Sequence, residues 1–85
     1  MNKRKLELGD RNVIGTRVTQ ARLELGLLQK DLVAKLQVQG IDISLPAFSL
    51  LEGQKRPVFD YELLALARIL NKEPNWFFES DDENV

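Results

Sequence analysis

Eighty-five residues suffice for one domain with a single small core, marginal enough that self-association is expected. With no Cys and no His, the chain has no disulfide, none of the usual zinc sites, no thiol nucleophile and no imidazole base. The net charge of −1 argues against indiscriminate nucleic-acid binding, and no apolar run approaches the roughly 20 residues that span a membrane.

The basic start, MNKRKLELGDR, lacks the apolar stretch of a signal peptide, so a soluble cytoplasmic protein is expected. The first helix is predicted over residues 12–25, with Ile14, Val18, Ala21 and Leu25 on one face, Asn12 as N-cap and Gly26 as terminator. A second is predicted over 28–36 with Leu32, Val33 and Leu36 buried, and Leu28 is a poor residue for its cap position. In QVQGIDI, Gly40 and Asp42 mark a turn, while Val38, Ile41 and Ile43 alternate as in a short extended piece; it reads as loop rather than strand.

Ser44 caps a third helix, Pro46 suits its first turn, Phe48 and Leu51 face inward, and Gly53 stops it. Asp60 is the expected cap of a fourth helix over 61–70 with Leu63, Leu66, Ala67 and Leu70 inward, ended by Asn71. Pro74 opens a short fifth helix through Trp76, Phe77 and Phe78, with Trp76 expected in the core and Phe77 or Phe78 partly exposed. The string ESDDENV has no core residue and reads as a disordered acidic tail. The fold class is therefore all-α, divided into a basic arm (1–11), a helical domain (12–78) and a tail (79–85).

Charge is distributed unevenly. Residues 1–22 hold six bases and two acids (+4), residues 23–59 four of each (0), and residues 60–85 two bases and seven acids (−5). A basic face can meet phosphates while the acidic side stays in solvent, and each tail taken alone reads equally as a solvated end.

Two short helices joined by a turn, the second opening on a Ser cap, form a minimal helix-turn-helix pattern. The fuller register runs from Gly26-Leu27-x-Gln29-x-x-Leu32 through Ser44-x-x-Ala47-Phe48-Ser49-x-Leu51-Glu52 to Lys55-Arg56-Pro57, Leu63-Leu64-Ala65-Leu66-Ala67 and Pro74-x-Trp76-Phe77. In that order and spacing it resembles the phage-repressor-type (XRE/Cro) helix-turn-helix family over residues 14–78.

The resemblance implies a compact five-helix, lambda-repressor-like domain and a cytoplasmic, prokaryotic or phage transcriptional regulator, a repressor. Such a protein binds double-stranded DNA as a homodimer, with its third helix in the major groove. It implies phosphate or base contacts from Gln29, Lys30, Ser44, Leu45, Pro46, Ala47, Ser49, Leu50, Lys55 and Arg56. It implies a structural ion pair between Arg22 and Glu52, and a dimer contact near Phe77 and Phe78.

Three features depart from the family pattern: a seven-residue turn before Ser44, Glu52-Gly53-Gln54 in place of Glu-Asn-Gly, and apolar residues at base-facing positions. Of Leu45, Pro46, Ser49 and Leu50, only Ser49 can hydrogen-bond to a base edge, beside apolar contact with thymine methyls. Lys3, Arg4 and Lys5 could enter a minor groove. The same apolar positions, exposed together, suit a protein partner at Leu45 and Leu50, as in an antitoxin-like or anti-repressor module. Without His or Cys, catalysis would need other groups set in a cleft, for which the chain is short; no enzyme and no cofactor or metal is expected.

Overall fold

The computed structural model describes residues 11–79, and its elements are α1 (Gly15–Glu24), α2 (Gln29–Val38), α3 (Leu45–Glu52), α4 (Asp60–Leu70) and a 3-10 turn, Pro74–Phe78. Among the described residues there are four α-helices, and the expected fifth is that 3-10 turn. No strand occurs among the described residues. Residues 1–10 of the basic arm and 80–85 of the acidic tail lie outside the described residues, so the readings of Lys3, Arg4, Lys5 and most of ESDDENV fall there.

The start of α1 is built by Asn12, one turn ahead of the helix. Its Oδ1 accepts the N–H of Ile14 at 3.0 Å and of Gly15 at 2.8 Å, satisfying donors that a helix start leaves open. At the other end Gly26 takes φ 71°, and the N–H of Leu27 reaches back to the Arg22 carbonyl, a glycine-centred stop. The helix finishes at Glu24, so the four-residue extrapolation to Leu25 runs past its last turn. Leu25 is 52% exposed, against the expected inward face, and the buried position in that last turn belongs to Arg22.

The weak cap expected for α2 is remedied from inside the helix, where Asp31 accepts the N–H of Leu28 at 2.8 Å. α4 uses the same device: Glu62 accepts the N–H of Phe59 at 2.9 Å, so Phe59 with Glu62, and not Asp60, starts it. Asn71 ends α4 in the left-handed conformation, φ 59°.

α2 extends to Val38, which is 88% exposed, and residues 39–44 form the connection to α3. Ile41 and Ile43 both enter the core, while Asp42 between them stays outside.

α3 and α4 each pack on α1 and α2, and the 3-10 turn packs on α1 and α4. The shared core gathers Val18, Leu32, Leu36, Phe48, Leu51, Leu66, Leu70 and Phe77. Phe77, fully buried, is the aromatic that closes it; Trp76 and Leu63, both expected in the core, are only partly buried against it. For Trp76 the physical reason is charge. Arg17 and Lys72 each stand 4.4 Å from the Trp76 ring centroid, and cations on a ring face keep its outer edge in water. Phe78 is 57% exposed.

Candidate nucleic-acid interface

α3 has two unlike faces. At about 100° per residue, Phe48 and Leu51 point one way and Leu45, Pro46, Ser49 and Leu50 the other. Phe48 and Leu51 are fully buried; Leu45 (44%) and Leu50 (50%) are exposed together with Pro46 and Ser49. Ala47 lies between the faces, half-buried against the core. Ser44 begins the helix, its Oγ accepting the Ala47 N–H at 3.2 Å, and its hydroxyl proton remains a donor. Pro46 in the first turn forgoes only an N–H that would lack a helical partner.

The inner end of α3 is held by a charge network. Arg22 from α1 meets Glu52 through two parallel bonds, Nε to Oε2 at 2.7 Å and Nη2 to Oε1 at 3.0 Å, and its Nη1 donates to the Leu27 carbonyl at 2.9 Å. The side chains are only 10% and 6% exposed, so the pair is nearly dry. A planar guanidinium matches a carboxylate in this way, and the extra bonds compensate the desolvation of both charges.

Gln29 joins the network, donating its Nε2 to Glu52 Oε1 at 2.8 Å. One of its two amide donors is therefore committed to the carboxylate, leaving the other for any outside group. The same bond brings the start of α2 to the end of α3. Lys30 follows Gln29 and is exposed; Lys55 lies three residues beyond Glu52 and is exposed too. Both exposed lysines thus lie in the segments that flank α3's anchored end, at the start of α2 and just after α3. α3 has a single acid, Glu52, and it is turned into the network.

Arg56 behaves differently from Lys55. Its guanidinium pairs with Glu62, Nη1 to Oε1 at 3.1 Å and Nη2 to Oε2 at 3.3 Å, with Glu62 itself buried. It is engaged in closing the loop onto α4, so the outward basic character of that loop falls to Lys55.

After Glu52-Gly53, the chain turns at Gln54, which takes the left-handed conformation, φ 63°. Its Nε2 donates to the Asn12 carbonyl at 3.1 Å, and its own carbonyl accepts the Arg11 N–H at 2.8 Å. Asn12 Nδ2 donates in turn to the carbonyls of Leu51 (3.1 Å) and Arg56 (2.7 Å). The N-cap position is Ile14, not Asn12 as expected, yet Asn12 still accepts the N–H groups of Ile14 and Gly15 and also holds the Leu51 and Arg56 carbonyls around the loop after α3. A polar residue near the start of α1 was legible in the sequence; the bonds of Asn12 to the far side of α3 were not. Gly15 was missed as well. A Cβ there would lie 2.5 Å from the Leu51 carbonyl oxygen and 2.7 Å from that of Glu52, so its lack of a side chain is what lets α1 and α3 approach.

On another side, Val13, Pro57, Phe59, Leu63 and Phe78 line an apolar groove of about 350 Å³. Of the two aromatics expected at a dimer contact, Phe78 lines this groove, whereas Phe77 is fully buried and closed to a partner. No helix among the described residues is long and apolar enough to cross a membrane, and no group of acids among them is arranged to hold a metal ion. No family model, curated protein or solved structure matches this chain.

Proposed function

We propose that this protein is a DNA-binding transcriptional regulator of the phage-repressor type, a repressor acting as a homodimer, that presents α3 to the major groove of double-stranded DNA. The observation that carries this reading is the exposed face of α3, free of acidic side chains, with exposed Lys30 and Lys55 in the segments that flank it and the Arg22–Glu52–Gln29 network anchoring it behind. A helix read by DNA must be rigidly held on one side and open on the other, and phosphate contacts at its margin set its position. On this reading α2, the connection at 39–44 and α3 form the helix-turn-helix. Lys30, Lys55, Gln29 and Ser44 serve phosphates, while Leu45, Pro46, Ala47, Ser49 and Leu50 lie toward the bases. Arg56 supports the loop from behind rather than touching DNA, and Phe78 and its groove supply the dimer contact.

Titration against random and genomic duplex at two salt concentrations tests the proposal. Expected is binding at low salt that weakens steeply as salt rises, because phosphate neutralisation releases counterions. No binding at low salt would refute it. A second reading is favoured by one specific observation, the joint exposure of Leu45 and Leu50: the same face would then seat a protein, in an antitoxin-like or anti-repressor role. In that case Leu45→Ala and Leu50→Ala abolish a protein complex and Lys55→Ala matters little.

A further inference from the structure

We propose that the outward face of α3 recognises duplex DNA by the C5-methyl groups of thymine, so that its target is a T-rich half-site read by apolar contact; this rests on the DNA-binding reading above. The exposed sector of α3, from Leu45 through Ser49 and Pro46 to Leu50, spans about 140° of the helix circumference. It offers one hydrogen-bonding side chain, Ser49, and three apolar ones, two of them large and roughly half exposed. In the major groove guanine presents two acceptors and cytosine an amino donor, whereas thymine presents a methyl group beside its O4. Leucine over a G·C edge covers polar atoms that then have no partner, which is unfavourable. Leucine over a thymine methyl removes apolar surface of both from water. Only the second juxtaposition suits this face.

Charge selects DNA over an apolar protein as the occupant. The one carboxylate of α3 is drawn inward by Arg22 and Gln29, while the segments on either side of α3's anchored end carry the exposed cations Lys30 and Lys55, suited to flanking phosphates. A single buried methyl group corresponds to about a fourfold change in affinity, so two per site give roughly a tenfold effect.

The experiment uses the full chain. A bound duplex is selected from a random pool, and every thymidine in it is then replaced by deoxyuridine, which keeps the pairing edge and removes only the methyl. Expected is a loss of affinity of roughly tenfold for the selected site, with no change for an unselected duplex treated alike. Leu45→Ala and Leu50→Ala, both at exposed positions, are expected to melt like the parent and to bind the thymidine and deoxyuridine duplexes with nearly equal affinity. If the parent prefers a selected sequence yet binds its deoxyuridine form equally well, methyl recognition is overturned while DNA binding stands. An equal loss on the unselected duplex also overturns it. If no duplex is bound at low salt, the DNA reading fails and this inference with it, leaving the Leu45–Leu50 face to a protein.

Discussion

Gly15 shows how a single residue's effect reverses with its surroundings. In an exposed helix, replacing Gly with Ala gains about 1 kcal/mol. Here the new methyl meets two backbone carbonyls of α3 that cannot move without shifting the helix. Gly15→Ala is expected to destabilise the fold by about 1–3 kcal/mol, the usual cost of overpacking, as read by denaturant unfolding. The Arg22–Glu52 pair obeys a second residue-scale rule. Removing one partner leaves the other charged and nearly dry, so Arg22→Ala or Glu52→Ala should each destabilise by about 3–5 kcal/mol. Thermal melts that match the parent would show that the charges are not buried in solution.

At the scale of elements, the loop after α3 contains two adjacent cations with opposite duties. Lys55 is exposed; Arg56 is paired to Glu62 and packed near the Phe59 ring. Lys55→Ala is therefore expected to leave stability unchanged and to weaken binding to all duplexes alike, reducing the salt slope by about one. Arg56→Ala is expected to lower the melting temperature and to alter the salt slope less. Equal effects of both on the slope, with no effect of either on melting, would place Arg56 on the phosphate side after all.

The last elements are joined by another cation. Lys72 bridges Glu24 at 3.2 Å and stands over Trp76, and the bond to Lys72, then that to Gln20, holds the Glu24 carboxyl below its ordinary pKa of 4.5. A carboxyl whose pKa is depressed by folding stabilises the fold above the ordinary value, and that contribution is lost as pH falls through the depressed one. The pair is half exposed, so the effect is small. Melts of Glu24→Gln across that acid range should show a shallower loss of stability than the parent.

For the whole molecule, Phe78, Phe59 and Val13 line an apolar groove that α3's outward residues do not share. If two copies meet there, Phe78→Glu should shift sedimentation toward the monomer without changing the melt of the core, since Phe77 and not Phe78 is buried. An unchanged sedimentation coefficient would remove this face from the dimer. DNA affinity should fall with the dimer, because two linked half-sites bind more tightly than one.

Sequence alone determined the helical class, most element positions and much of the core. A 3.6-residue apolar period, a Ser cap and well-placed glycines are local signals, and burial of Ile14, Val18, Leu32, Phe48, Leu51, Leu66 and Leu70 follows from them. It also singled out Arg22 with Glu52, through a family register. What only the tertiary structure decided depends on residues distant in the chain. It exchanged Phe77 for Trp76 in the core, because Arg17 and Lys72 converge on the indole. It replaced Asp60 by the Phe59–Glu62 start and paired Arg56 with the buried Glu62. It made Asn12, Gln54 and Gly15 the joint between α1 and the end of α3. Periodicity reveals none of these: the Phe59–Glu62 start is a side-chain cap within one turn, and the Arg56–Glu62 pair and the Asn12 bonds to the loop after α3 join residues 6 to 44 apart in the chain, beyond the reach of an apolar pattern.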